Sequence, residues 1–126
     1  MTAGSPSSPP KVLVADDSES ERASARSALN SAGYQVVEAI DGQHALEVFA
    51  RERPDLVMLD VSMPRLDGVQ ALRRLRDREP ELRAILVSGY GDEDLHERTS
   101  VEGVPLLRKP YRIDELERIL VAQLGA

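Results

Sequence analysis

Four short apolar runs in this chain each lead into a polar group, and that pattern constrains the fold more than any other feature. Lys11-Val-Leu-Val-Ala15 runs into Asp16-Asp17, and Asp55-Leu-Val-Met-Leu59 runs into Asp60. Ala84-Ile-Leu-Val87 runs into Ser88, and Val104-Pro-Leu-Leu107 leads to Lys109-Pro110. Longer amphipathic stretches separate the runs. The pattern predicts strands over 11–15, 35–39, 55–60, 83–88 and 104–107, and helices over about 18–32, 42–52, 67–78, 92–100 and 112–124. Strands apolar along their whole length are covered on both faces. Strict alternation with helices then implies an α/β fold, a doubly wound five-stranded parallel sheet with right-handed crossovers. In such a sheet all four polar ends reach one edge, where open α/β sheets bind ligands.

The helical faces agree with this reading. Ala25, Ala28, Leu29 and Ala32 share one face of the first helix, and Gly33 is its natural stop. Ala45, Val48 and Phe49 mark the second helix, and Ile113, Leu116, Ile119, Leu120 and Leu124 the last. The helix over 92–100 is the weak element, with Leu95 its one clear apolar anchor. At 126 residues with 3% aromatics, the chain is one domain with an aliphatic core. Residues 1–10 are small, polar and proline-rich and read as a disordered tail or linker, leaving 11–126 as the folded domain.

Several function classes are excluded. A net charge of −6 without a basic patch argues against direct nucleic-acid or membrane-surface binding. Zero cysteines exclude a disulfide scaffold and thiolate metal sites. No apolar stretch is long enough to span a bilayer, and the N-terminus lacks a signal-peptide pattern, so a cytoplasmic location is expected.

What remains is the edge itself. Asp16, Asp17 and Asp60 would converge there, and neighbouring carboxylates raise one another's pKa unless a cation offsets them. Mg²⁺ is the natural candidate, since it takes oxygen ligands and bridges to phosphate oxygens. Carboxylates are nucleophiles in aspartyl-phosphate chemistry, and Asp60, alone at its strand end, is the best placed. Of 16 basic residues only Lys11 and Lys109 are lysine. Lys109 therefore reads as a compact charge that a planar guanidinium would not replace, with Ser88 as a hydroxyl donor. His44 and His96 read as surface residues. Arg73, Arg74, Arg76 and Arg78 read as the solvated face of the third helix, and Tyr90 and Tyr111 flank the site.

Taken in order, Asp16-Asp17, Asp60-Val-Ser-Met-Pro-Arg-Leu-Asp-Gly68, Ser88-Gly-Tyr90 and Lys109-Pro-Tyr111 resemble the receiver domain of two-component response regulators over residues 11–124. The resemblance implies a flavodoxin-like strand order 2-1-3-4-5. It implies Asp60 as phospho-acceptor, and Mg²⁺ held by Asp17, Asp60 and the backbone carbonyl of Ser62, with Asp16 acting largely through water. Ser88 would be the switch hydroxyl and Lys109 the lysine that pairs with the phosphoryl group. The donor would be a histidine kinase or histidine phosphotransfer protein, and the output an unknown downstream protein. Such a domain is a signalling switch rather than a conventional enzyme, though it catalyses its own phosphorylation and dephosphorylation. Two positions depart from the family pattern. Leu106 stands where an aromatic is common, three residues before the lysine, and the helix over 92–100 is poor in apolar anchors. The Ser88-Gly-Tyr90 segment with a short following helix resembles receivers attached to hybrid histidine kinases. Two alternatives stand beside the switch. One is a phosphohydrolase, disfavoured because its acids would lie as Asp-x-Asp on one strand. The other is an interaction module that keeps the fold and works without phosphorylation.

Overall fold

A computed structural model of the chain describes residues 9–89 and 104–125. Most of the expected N-terminal tail, Tyr90, His96 and the helix expected over 92–100 lie outside the described residues, and with them all but Ser88 and Gly89 of the segment behind the hybrid-kinase comparison.

Five strands form one parallel sheet in the order β2-β1-β3-β4-β5. They are β1 (Lys11–Ala15), β2 (Gln35–Ala39), β3 (Leu56–Asp60), β4 (Arg83–Ser88) and β5 (Leu106–Arg108). Four helices connect or follow them among the described residues: α1 (Glu19–Ser31), α2 (Gly42–Glu52), α3 (Gly68–Arg78) and the C-terminal α4 (Ile113–Leu124). The register is continuous across the centre, with Ala15 opposite both Ala39 and Leu59, and Asp60 opposite Val87.

Alternate residues of each strand serve opposite faces. Leu13, Val57, Leu59, Ala84 and Leu86 pack with α2 and α3 through Phe49, Leu72 and Leu75. Val12, Val14, Met58, Ile85 and Leu107 pack with α1 and α4 through Leu29, Leu116 and Leu120. These leucines are essentially inaccessible to solvent, and burying each contributes about 1.5–3 kcal/mol. The two-faced core is what makes the central strands apolar along their length.

Three details differ from the sequence reading. The last strand spans Leu106–Arg108 rather than 104–107, because its pairing starts where Leu86 meets Leu106. Just before it, the Leu86 N–H donates to the Pro105 carbonyl at 3.0 Å, while Pro105 has no N–H to return to the ladder. On α4, Leu116 and Leu120 are buried, but Ile113 is 47% exposed, so the apolar stripe is narrower than its periodicity predicts. On α1 the buried pair is Ala25 and Leu29, with Ala28 and Ala32 only half-buried. Among the described residues, no helix is long and apolar enough to cross a membrane.

Candidate functional site

The carboxyl ends of β1 and β3 deliver Asp16 and Asp60, both buried. Asp16 belongs to the turn that starts α1. Its Oδ1 accepts the Ser18 N–H at 2.9 Å, and its carbonyl accepts from Arg22 Nη1 at 2.8 Å. Arg22 is fixed in turn by Glu38 of the edge strand, which accepts from its Nε at 3.2 Å. Asp60 Oδ1 accepts the Ser62 N–H at 3.0 Å, so the chain folds back over the acid immediately after the strand.

The loop from Asp60 to α3 is held close on both sides. Gly68 begins α3 so near the sheet that an added Cβ would lie 2.4 Å from the Asp60 carbonyl oxygen. Gly42, at the start of α2, approaches the loop from the other side, where an added Cβ would lie 1.9 Å from the Leu66 carbonyl oxygen. Between them Arg65 adopts φ 67°, a conformation costly for a side-chain-bearing residue. It donates to Asp41 Oδ2 through Nε at 3.0 Å and Nη2 at 2.6 Å. Asp41 also caps α2, accepting the His44 N–H at 2.7 Å. That bond above all, with Arg65 beside it and against the opposing effect of burial, holds the Asp41 carboxyl below its ordinary pKa. A capping box of Asp67 and Gln70 starts α3.

Lys109 joins the two acids. Its backbone N–H donates to the Ser88 carbonyl at 2.8 Å, which anchors it beside the end of β4. The following peptide bond to Pro110 is cis. From there Lys109 Nζ donates to Asp60 Oδ2 at 2.9 Å, to Asp16 Oδ2 at 3.0 Å, and to Glu21 Oε1. Glu21, on the first turn of α1, is a site residue that the sequence reading missed. One oxygen from each of Asp16, Glu21 and Asp60 lies within 4.8 Å of the others. The available signal was position: Glu21 follows Asp17 by four residues on the helix that starts at the same sheet edge.

The remaining expected residues are placed as follows. Ser88 is buried at the end of β4, and Gly89 and Ser62 line the cleft over the acids. Asp17 is exposed on the cleft rim, outside the close group that Asp16, Glu21 and Asp60 form. The cleft has a volume of about 800 Å³ and extends over Tyr111 toward Ala25 and Ala28 of α1. His44, expected at the surface, is half-buried and accepts the Ile40 N–H on Nδ1 at 3.1 Å. Arg73, Arg74 and Arg78 are exposed as expected, whereas Arg76 is half-buried and donates through Nη2 to the Leu82 carbonyl at 3.0 Å.

Burial pushes the Asp60 carboxyl up to about 6, outweighing the Ser62 N–H and Lys109, which lower it, while the nearby Asp16 charge adds to the rise. Burial works against the Lys109 charge too, but its bonds to Glu21, Asp60 and Asp16 prevail and hold it above the ordinary lysine value. Burial also raises the Tyr111 phenol, so it stays protonated at neutral pH. The site is a concentrated negative charge balanced by a single ammonium. Its donors are all oxygens, the set a hard divalent cation such as Mg²⁺ takes, and the surplus of carboxylates over cations suits one.

The family model for the response regulator receiver domain matches residues 12–121. The chain is 35% identical over 107 residues to sporulation initiation phosphotransferase F of Bacillus subtilis, covering 84% of this chain and 86% of that protein. It is 38% identical over 111 residues to the response regulator MprA of Mycolicibacterium vanbaalenii, covering 86% of this chain but 47% of that protein. The chain thus spans nearly all of one relative and about half of the other. Among solved structures it resembles a response regulator receiver domain protein from Clostridium thermocellum, with a TM-score of 0.87, 28% identity, and coverage of 92% and 94% of the two chains.

Proposed function

We propose, from the premise that the chain belongs to the response regulator receiver domain family, that it is a phospho-accepting switch in two-component signalling with Asp60 as the acceptor. The observation that carries this reading is the contact of Lys109 Nζ with Asp60 Oδ2 at 2.9 Å. It places an ammonium against the one buried carboxylate that ends the central strand. In the proposed reaction a carboxylate oxygen of Asp60 attacks phosphorus, forming an O–P bond. The bond from phosphorus to the donor nitrogen of a phosphohistidine breaks, and the electron pair leaves on that nitrogen. The donor is a histidine kinase or a histidine phosphotransfer protein.

Asp17, Asp60 and the Ser62 carbonyl would hold Mg²⁺, with Asp16 acting largely through water. The cation would supply charge neutralisation for the phosphoryl oxygens. The residues of the chain do the rest. Burial and the Ser62 N–H orient Asp60, Lys109 follows the incoming phosphoryl oxygens, and Ser88 donates its hydroxyl to them. The phosphoryl group adds roughly −1.5 to −2 charges and three acceptors. A two-state equilibrium then shifts by the difference in affinity of its states for that group. A downstream protein in the cytoplasm reads the change, through a domain that spans 11–126.

The test is intact mass after incubation with a small acyl-phosphate donor, with and without Mg²⁺, on wild type and Asp60→Ala. A Mg²⁺-dependent gain of one phosphoryl group, lost in the variant, is the expected result. No gain with the acyl phosphate or with a phosphorylated histidine-protein donor would overturn it in favour of an interaction module.

A further inference from the structure

Lys109 has three N–H donors on its ammonium, and all three are engaged, by Asp16, Asp60 and Glu21. If Asp60 accepts a phosphoryl group, as proposed above, Lys109 must turn to the new oxygens and release a partner. Asp16 and Asp60 are buried and fixed by backbone N–H groups from Ser18 and Ser62. The Glu21 side chain is 49% exposed, which makes it the partner most readily released.

The local sequence gives Glu21 a different role. Ser18-Glu-Ser-Glu21 is the pattern of a capping box, in which the glutamate reaches back to the N–H of the capping serine. Half of that box forms, since Ser18 Oγ accepts the Glu21 N–H at 3.3 Å. The other half is pre-empted, because the Ser18 N–H donates to Asp16 Oδ1. Glu21 is thereby turned away from its own helix and onto the lysine. The contrast with α3 is direct: there Gln70, at the same position of an Asp-x-x-Gln box, completes the box with the Asp67 N–H at 3.2 Å.

We infer that Glu21 is a positioning residue of the switch, an intramolecular competitor that holds Lys109 until the phosphoryl group displaces it, and so slows phosphorylation of Asp60. The inference rests on Asp60 being the acceptor. With an acyl-phosphate donor, the step joins an Asp60 oxygen to phosphorus and breaks the bond to the donor's acyl oxygen, which leaves as a carboxylate. Glu21 and Lys109 exchange no proton in it. Glu21 acts through the lysine and through its own charge, which lies beside the path of an anionic donor.

The experiment compares initial rates of phosphorylation by a small acyl phosphate at saturating Mg²⁺ for wild type, Glu21→Gln and Glu19→Gln. Glu19 is exposed on the same helical turn, so its variant removes an equal charge without touching Lys109. Glu21→Gln should react about two- to fivefold faster, the size a half-exposed ion pair supports. Glu19→Gln should match wild type, and all three should melt together. Raising the salt to about 1 M should shrink the advantage of Glu21→Gln, because screening weakens the competition it removes. A helix cap or a packing role would show no such salt dependence. An unchanged or slower rate in Glu21→Gln, or equal acceleration in Glu19→Gln, overturns the inference while leaving the acceptor assignment intact. A wild type that takes up no phosphoryl group removes both.

Discussion

The chain's two lysines stand at opposite edges of the sheet, and the same ammonium meets different surroundings at each. Lys11 opens β1, where its Nζ donates to Glu52 Oε1 at 3.2 Å and to the Glu52 carbonyl at 3.3 Å. Its backbone N–H donates to Asp55 Oδ2 at 2.8 Å. Both side chains of that ion pair are about one-third exposed, so water screens it and it serves as a fastening between β1 and the end of α2. Lys109 follows β5 and faces three carboxylates, two of them buried. There the lysine balances charge that the fold has gathered at a cost. Charge at the amino edge adds little to stability, whereas burial of charge at the carboxyl edge works against it.

The largest effect that would break this contrast comes from the lysine that faces the buried acids. Lys109→Met leaves Asp16 and Asp60 facing each other without a counter-charge. Removing one partner of a buried ion pair typically costs about 3 kcal/mol or more. Urea unfolding of the variant without Mg²⁺ should show that loss, and Mg²⁺ should restore more stability to the variant than it adds to wild type. Equal gains from Mg²⁺ in both would mean that the acids are not in electrostatic conflict.

Asp60→Asn has the opposite sign. In the folded protein the Asp60 pKa is raised from 3.8 to about 6, so the native state favours the protonated acid. Ionised Asp60 therefore subtracts stability in full above about pH 6, and the penalty fades as pH falls from there toward 4. The variant should be more stable at pH 8 without Mg²⁺, by about 3 kcal/mol at most, with roughly half that gain left at pH 5. A gain that stays constant with pH would trace to packing rather than to the buried charge.

The smallest effect belongs to the amino edge. Lys11→Met should cost no more than about 1 kcal/mol, and 1 M salt should erase most of the difference. A loss as large as that of Lys109→Met would make the two edges energetically alike.

Much of this arrangement was legible in the chain. The central strands read clearly because burial on both faces leaves an unbroken apolar run, as in Leu56–Leu59 and Ala84–Val87. Helix boundaries read well wherever a cap is local: Ser18, Asp41 and Asp67 each accept an N–H three residues on. Legibility fell where the deciding partner is distant in sequence. The bounds of β5 follow its pairing with β4, and the exposure of Ile113 follows how α4 is seated. Of two adjacent acids, only the packed structure tells that Asp16 is buried beside Lys109, 93 residues away, while Asp17 is exposed.

Among the described residues, the sequence by itself determined the order of elements, the two-faced core and the convergence of Asp16, Asp60, Ser88 and Lys109 on one edge. Hydrophobic period and strand polarity are local properties of the chain, and a parallel sheet carries every strand end to the same side. Tertiary structure alone decided how the charges pair. It closed Arg65 onto Asp41, set Gly68 against the Asp60 carbonyl, and drew Glu21 away from its helix cap to Lys109. Two of those contacts join groups far apart in the chain, and all three depend on distances of a few ångströms that only the assembled fold defines.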